Sequence, residues 1–178
     1  MTIDEAEALL SAIPPHTGDW ADLGAGDGTF AQALARRLQP GSRVYAVDRN
    51  SNAIASLRRV VVPDVEIIPV AGDFTRPLQL PGTGEGQLHG LLLANALHFV
   101  PETRAVLTSL LAWLRPGGLV VIVEYDGRRP SRWVPYPISL DRLPDIMDGL
   151  GLAPPTVTAT RPSVYGGSLY VAVTQRVA

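Results

Sequence analysis

Short apolar runs alternate with amphipathic segments along the first 125 residues of the chain. The apolar runs predict strands at residues 20–23, 43–47, 65–69, 88–94 and 119–124. Apolar residues three or four positions apart predict the intervening helices, at residues 30–38, 51–59 and 102–114. This alternation predicts a parallel sheet with helices on both of its faces.

The two ends of the chain differ from this alternation. Thr2 to Glu5 form a capping-box pattern that opens a short helix within residues 1–16. Residues 139–149 predict a last helix, with Pro144 in its first turn. Two β-rich segments, at 156–161 and 168–174, are separated by a turn and predict an antiparallel hairpin. With no linker visible, we expect a single domain over residues 1–178.

Composition narrows the class of protein and of chemistry. The formal net charge is −2, without the basic excess of a protein that binds nucleic acid, so no nucleic-acid partner is expected. All 15 basic residues are arginine and cysteine is absent, which excludes a lysine Schiff base, a thiolate nucleophile and a disulfide. The three histidines lack ligand spacing, so no metal site is expected.

No targeting or membrane segment is predicted. The first residues lack a basic stretch followed by an apolar core, so we expect no signal peptide. The most apolar runs are far shorter than a membrane span. These observations predict a cytoplasmic protein without a membrane partner.

A glycine-rich turn joins the first strand to the next helix, with the sequence Asp22-Leu23-Gly24-Ala25-Gly26-Asp27-Gly28. Gly24 and Gly26 allow the backbone to turn sharply and to approach a ligand closely. The helix that follows presents free backbone N–H groups at its N-terminus. Ordinary strand–helix turns also use glycine, so a purely structural role remains open for this turn alone.

Acidic residues follow the next two strands. Asp48 ends the second strand, 24 residues after Gly24, where doubly wound folds place a carboxylate on ribose hydroxyls. The alternative role for Asp48 is a helix cap. Gly72-Asp73-Phe74 follows the third strand, where an adenine would project. The alternative there is a simple turn with a buried phenylalanine.

Two further motifs complete an ordered set. They are Ala94-Asn95-Ala96-Leu97-His98 after the fourth strand and Leu114-Arg115-Pro116-Gly117-Gly118 before the fifth. Over residues 19–125 the motifs together resemble class I S-adenosylmethionine-dependent methyltransferases. The resemblance implies an α/β fold with a doubly wound, mostly parallel seven-stranded sheet and an antiparallel C-terminal hairpin. It also implies S-adenosyl-L-methionine as the cofactor, and a helix that ends in the Leu114–Gly118 motif.

The resemblance also assigns cofactor-binding roles. It implies that the glycine turn holds the methionine end, with Asp22 facing the amino group, and that the next three turns hold the ribose, the adenine and the sulfonium. The residues implied for the methionine end are Asp22, Gly24, Ala25 and Gly26, and those implied for the ribose are Asp48 and Arg49. Those implied for the adenine are Gly72, Asp73 and Phe74, and those implied for the sulfonium are Asn95 and Ala96. The sequence departs from the family pattern at His89, where many members are acidic, and in its short N-terminal helix, which predicts a minimal lid.

The methyl acceptor is expected to be a small molecule, methylated by in-line transfer. Its site is predicted to involve His98, Tyr125, Trp133 and Tyr136, because the loop at residues 125–138 leaves the sheet at its carboxyl edge. The alternative for this loop is a proline-stiffened connection with its aromatic residues against the core. His98 is a weak candidate for a general base, and Tyr165 and Tyr170 in the hairpin are expected to be packing residues.

Two other functions were weighed. A nicotinamide oxidoreductase would carry Gly-x-Gly-x-x-Gly, but Thr29 occupies the last glycine position, and no lysine is present for a Tyr-x-x-x-Lys pair. A non-catalytic cofactor-binding module on the same fold stays open, because catalysis is not visible in the binding motifs. The sequence leaves open the acceptor, the methylated atom and the oligomeric state.

Overall fold

The computed structural model describes residues 1–177 and contains a sheet of seven strands. These strands are β1 (Asp19–Leu23), β2 (Ser42–Asp48), β3 (Val65–Ala71), β4 (Leu88–Ala94), β5 (Leu114–Asp126), β6 (Thr156–Pro162) and β7 (Ser168–Gln175). Their spatial order is β3-β2-β1-β4-β5-β7-β6. Strands β1 to β5 are parallel, whereas β7 runs antiparallel to both β5 and β6. The predicted fold class is therefore confirmed.

Helices cover both faces of this sheet. They are α1 (Ile3–Leu9), α2 (Thr29–Arg37), α3 (Ser51–Leu57), α4 (Thr103–Leu111) and α5 (Leu143–Met147), with a 3₁₀ turn at Leu97–Phe99. The predicted capping box is present, since Thr2 and Glu5 exchange side chain–backbone hydrogen bonds at the start of α1. Among the helices described, none is long and apolar enough to cross a bilayer.

Alternation along the strands divides the core into two layers. On β2, Val44 and Ala46 face α1, α2 and α3, whereas Tyr45 and Val47 face α4 and α5. Burial on both faces explains why the strands read as continuous apolar runs instead of alternating ones. The carboxyl ends of the parallel strands lie along one edge of the sheet. At this edge β1 and β4 are neighbours, and the strand order reverses between them. Ligands bind at this point in open α/β sheets.

Two predicted helices differ from the structure. The predicted helix 102–114 ends at Leu111, and the Leu114–Gly118 motif belongs to β5, with a register shift opposite Leu88. The segment is held extended because Gly117 and Gly118 exchange backbone hydrogen bonds with Arg176. The predicted helix 139–149 contracts to α5, which keeps Pro144 in its first turn. At its far end, Gly149 adopts φ +66° and cannot continue a helix.

Candidate active site

The glycine turn after β1 is fixed against β2 and leaves its inner side open. The backbone N–H groups of Gly24 and Ala25 both donate to the carbonyl of Val47 at 2.9 Å. Gly24 has φ +84°, and a Cβ there would lie 2.9 Å from the Ala96 Cβ and 3.5 Å from the Phe74 ring. Glycine is therefore required at this position, because any side chain would fill the space between the turns after β1, β3 and β4.

The side chain of Asp22, on β1, is a buried carboxyl group. The residue is 1% exposed, and neither side-chain oxygen has a hydrogen-bond partner within residues 1–177. Burial raises the pKa of Asp22 to about 7, and the nearby charge of Asp48 adds to the effect. An isolated buried carboxylate is costly, which favours a cationic partner. Asp22 is, however, not among the residues that line the three cavities described below.

Asp48, at the end of β2, connects two turns. Its Oδ2 accepts the Gly26 N–H at 2.8 Å, and its Oδ1 accepts the Asn50 N–H at 2.7 Å. Each carboxylate oxygen can accept a second hydrogen bond, so both can still receive ribose hydroxyls. The helix-cap alternative for Asp48 is wrong, because Asn50 caps α3, and the Asp48 carboxylate instead shapes the glycine turn and faces the cleft.

A cleft of about 190 Å³ opens between the turns after β1 to β4. Its lining includes the residues predicted for the ribose and the adenine, Asp48, Arg49, Gly72, Asp73 and Phe74. Gly24, predicted for the methionine end, and Asn95 and Ala96, predicted for the sulfonium, also line it. Within it, Asp73 Oδ1 accepts hydrogen bonds from the Thr75 N–H and hydroxyl, which lower the pKa of Asp73. Asp73 is thus held as an anion on a fixed turn. We name this space the nucleoside cleft.

A second cavity, of about 560 Å³, lies on the other side of the glycine turn and is named the methionine cavity. Its floor is formed by the predicted residues Gly24, Ala25 and Gly26. Its cover comes from the start of α1 and from the β6–β7 turn, which Arg161 links by an ion pair to Glu5 at 3.3 Å. The short N-terminal helix predicted a minimal lid, but the contribution of the β6–β7 turn was not foreseen.

A third cavity, of about 550 Å³, opens beside the loop that follows β5, and we name it the acceptor cavity. It is lined by Asn95, His98, Phe99, Tyr125, Arg128, Trp133, Val134 and Tyr165. Three of the four residues predicted for an acceptor site, His98, Tyr125 and Trp133, thus line one space. Trp133 is 67% exposed and not tucked into the core, because the tight turn between Ser131 and Val134 buries Val134 instead.

Two tyrosines lie elsewhere than predicted. Tyr136 is not among the residues that line the acceptor cavity; its side chain is 46% exposed, and its backbone N–H donates to the His98 carbonyl. Tyr165 was expected to pack, but it is 73% exposed and lines the cavity. It reaches this wall because Gly167 packs directly on the Asp126 backbone, which brings the β6–β7 turn against the end of β5. Tyr170, also expected to be a packing residue, is fully buried.

Asn95 is the residue at which the three spaces meet. It lines the nucleoside cleft, the methionine cavity and the acceptor cavity. Its backbone has φ +53°, which is uncommon for a residue other than glycine, and its N–H is held by the Val123 carbonyl at 2.8 Å. Its buried Oδ1 has no hydrogen-bond partner in the part of the chain described. Strained backbone and an unpartnered polar atom are typical of a ligand site.

His98 is held by a residue that sequence reasoning missed. Glu124, near the end of β5, accepts the His98 backbone N–H at 3.1 Å, and its other oxygen lies 2.7 Å from His98 Nδ1. Both side chains are buried, with His98 3% and Glu124 0% exposed. An acidic residue at the end of an otherwise apolar strand was a visible signal for Glu124, but its partner could not be read from the sequence.

Comparison with known proteins identifies the family of this chain. A family model described as "Methyltransferase domain" matches residues 21–118, which is more than half of the chain. A trans-aconitate 2-methyltransferase of Variovorax paradoxus is 31% identical over 126 residues, covering 69% of this chain and 45% of the relative. The chain thus spans about half the length of this curated relative.

Solved structures show the same fold. A methyltransferase of Burkholderia thailandensis that acts on 1,6-didemethyltoxoflavin, solved with that compound and S-adenosylhomocysteine, matches with a TM-score of 0.71 and 23% identity. The match covers 99% of this chain and 78% of the other. An Aquifex aeolicus S-adenosylmethionine-dependent methyltransferase matches with a TM-score of 0.72 and 16% identity, covering 97% and 90%. The chain belongs to the methyltransferase domain family, of the class I S-adenosylmethionine-dependent type, and its family uses S-adenosylmethionine as methyl donor.

Proposed function

We propose that this protein binds S-adenosylmethionine across the nucleoside cleft and the methionine cavity, and transfers its methyl group to a small molecule in the acceptor cavity. The observation that carries the proposal is the position of Asn95, which lines all three spaces. Gly24 and Asn95 both line the first two spaces, so a ligand that fills these spaces would lie beside Asn95. An acceptor in the third space then meets the ligand at the same point.

The residues of the chain fit the cofactor along its length. The buried carboxylate of Asp22 provides an anion for the amino group of the methionine end, and the open side of Gly24 provides room for the chain of atoms that follows. Asp48 can accept the ribose hydroxyls while it holds the Gly26 N–H. Asp73 can accept from the adenine amine, beside the Phe74 ring in the same cleft.

The cofactor, when bound, supplies a methyl group on a positively charged sulfur that leaves as a neutral thioether. The protein therefore has to orient the acceptor and exclude water more than it has to provide acid–base chemistry. Trp133, Tyr125 and Phe99 form apolar walls for this purpose. The unpartnered Oδ1 of Asn95 is a hydrogen-bond acceptor at the meeting point.

His98 is the side chain best placed to take a proton from a hydroxyl or amine acceptor. Its Nδ1 lies 2.7 Å from Glu124 Oε2. In the tautomer that carries its proton on Nδ1, this proton is donated to the carboxylate and Nε2 is the acceptor. Glu124 acts through His98 and is a positioning residue. This pair supports the weak catalytic assignment made for His98 from the sequence.

Several observations favour a small-molecule acceptor. The acceptor cavity, at about 550 Å³, has the size of a site for a small ligand and is walled largely by aromatic residues. The net charge of −2 lacks the excess of basic residues that phosphate backbones require. The relatives named for trans-aconitate and 1,6-didemethyltoxoflavin act on small molecules.

The experiment has two stages. Isothermal titration with S-adenosylmethionine and S-adenosylhomocysteine is expected to give dissociation constants in the micromolar range, which correspond to binding free energies of roughly −7 to −9 kcal/mol. Absence of heat and of a thermal shift at millimolar ligand would refute cofactor binding. A metabolite extract incubated with methyl-labelled cofactor then identifies the acceptor, and cofactor binding without any turnover would instead support a non-catalytic module.

Trp133→Ala and Tyr136→Ala form a matched pair for locating the acceptor. Both residues are exposed aromatics of the same loop, but only Trp133 lines the acceptor cavity. We expect Trp133→Ala to raise the KM for the acceptor about tenfold, because it removes one wall, and to leave cofactor affinity within about twofold. Tyr136→Ala should leave both unchanged. Equal effects of the two substitutions on the acceptor KM would contradict this location.

A further inference from the structure

Arg128 is among the residues that line the acceptor cavity, whereas Arg132, whose guanidinium carbon lies 4.7 Å from the centre of the Trp133 ring, is not. The Arg128 guanidinium carbon lies 5.0 Å from the centre of the Tyr125 ring and 5.9 Å from that of Tyr165. All three residues line the cavity. Both rings lie within cation–π distance of the guanidinium, whose N–H donors lie in its own plane.

Arg128 has no acidic partner in the structure of residues 1–177. Salt bridges there join Arg36, Arg43, Arg76 and Arg161 to carboxylates, but none includes Arg128. Two acidic residues at the end of β5 have other partners. Glu124 binds His98, and Asp126 Oδ1 accepts the Leu140 N–H.

The chemistry of such a group defines its ligand. A guanidinium binds carboxylates through two parallel hydrogen bonds, and these charge-assisted bonds are about twice as strong as neutral ones. The flat walls of Phe99, Tyr125, Trp133 and Tyr165 favour a planar, unsaturated body. The same cavity extends to Asn95, where the methyl group would be presented.

We infer that Arg128 is a specificity-determining residue that binds a carboxylate of a planar acceptor and so directs the other end of that molecule toward Asn95. The inference rests on the proposed function, because it assigns the ligand class of the same cavity. It also gives the exposed loop 125–138 a role beyond covering the site. The competing role for Arg128 is a clamp that only joins the loop to the β6–β7 turn through the two tyrosines.

The test uses two probes of equal shape, 4-hydroxybenzoate and 4-hydroxybenzamide, titrated into protein saturated with S-adenosylhomocysteine. We expect the carboxylate to bind about tenfold or more tightly than the neutral amide. Arg128→Gln should remove this preference, whereas Arg129→Gln should keep it, because Arg129 belongs to the same loop but does not line the cavity. Both variants should keep the affinity for S-adenosylhomocysteine within about twofold.

Several outcomes overturn the inference. They are equal affinity for the two probes in the unmodified protein, no binding of either probe at about 10 mM, or an unchanged preference in Arg128→Gln. A preference for inorganic phosphate over both probes would overturn the choice of a carboxylate. The comparison of probes on the unmodified protein holds even if Arg128→Gln fails to fold. Failure of S-adenosylhomocysteine to bind would instead contradict the proposed function. The two probes titrated without it would still test whether Arg128 binds a carboxylate.

Discussion

Replacing Asp22 with asparagine removes an ionisable group from the interior of the first βα turn. In the folded protein the carboxyl is fully buried, has no hydrogen-bond partner in the described chain, and has a pKa of about 7 in place of 3.8. The unfolded chain therefore loses the Asp22 proton near pH 4, while the folded protein keeps it until about pH 7. Between these values the folded protein binds the extra proton, so its stability falls as pH rises.

The size of this loss follows from the two pKa values. From pH 5 to pH 8 the unfolding free energy should decrease by about 2–3 kcal/mol, with most of the change below pH 7 and little above it. For a chain of this length, that corresponds to a fall in Tm of about 5–10 °C. Asp22→Asn should lose this pH dependence, although the buried amide still costs about 1–3 kcal/mol at every pH.

Cofactor binding should reverse the effect, because a cationic amino group beside Asp22 stabilises the ionised form. Below about pH 7 binding must expel the Asp22 proton, so affinity for S-adenosylhomocysteine should fall about tenfold for each further pH unit. Isothermal titration at pH 6 in two buffers of different ionisation enthalpy counts the released protons. We expect nearly one proton for the unmodified protein and fewer for Asp22→Asn.

The reasoning would be refuted by either of two results. One is a pH dependence of stability that is the same in Asp22→Asn as in the unmodified protein. The other is cofactor binding at pH 6 that releases no proton although Asp22 is present.

Three further substitutions test the rest of the site. Asp48→Ala should weaken S-adenosylhomocysteine binding by about 2–3 kcal/mol in titration and also lower Tm, because the Gly26 and Asn50 N–H groups lose their acceptor; an unchanged affinity in a folded variant would place the ribose elsewhere. Gly24→Ala should reduce cofactor affinity at least about tenfold, since its Cβ would meet Ala96 at 2.9 Å with φ +84°; normal affinity would show that the turn rearranges. Glu124→Gln should lower kcat about tenfold or more and change the pH profile of kcat, with cofactor affinity kept; a lower Tm with an unchanged profile would reduce Glu124 to a structural role.

The elements that sequence reasoning placed well are those set by local pattern. Strand β4 was predicted with its observed bounds, because a continuous apolar run buried on both faces has sharp ends. Asp48 and Asp73 line the same cleft because Asp48 ends β2, Asp73 comes shortly after β3, and the carboxyl ends of parallel strands share one edge. The motif Leu114–Gly118 was misplaced because its conformation depends on pairing with Arg176, a residue 58 positions after Gly118.

The acceptor side of the site was only partly predictable for a similar reason. Trp133 and Tyr136 lie in the same proline-rich stretch of sequence, which does not distinguish them. The tight turn between Ser131 and Val134 gives the two side chains different surroundings. Tyr165 enters the cavity only because the β6–β7 turn packs on the end of β5. The pairing of His98 with Glu124 joins residues 26 positions apart through the register of β4 and β5.

The contact of Gly167 with the Asp126 backbone has a consequence for how such a scaffold can diversify. It joins two surface connections, the loop 125–138 and the β6–β7 turn, whose side chains form much of the acceptor cavity, whereas the nucleoside cleft is built from the turns after β1 to β4. Substitutions in these two connections can therefore accumulate without changing the lining of the nucleoside cleft, whereas Tyr125 and the β6–β7 turn also line the methionine cavity. A combinatorial library restricted to residues 126–138, with Gly167 kept, is therefore the starting point for changing the acceptor cavity of this scaffold alone.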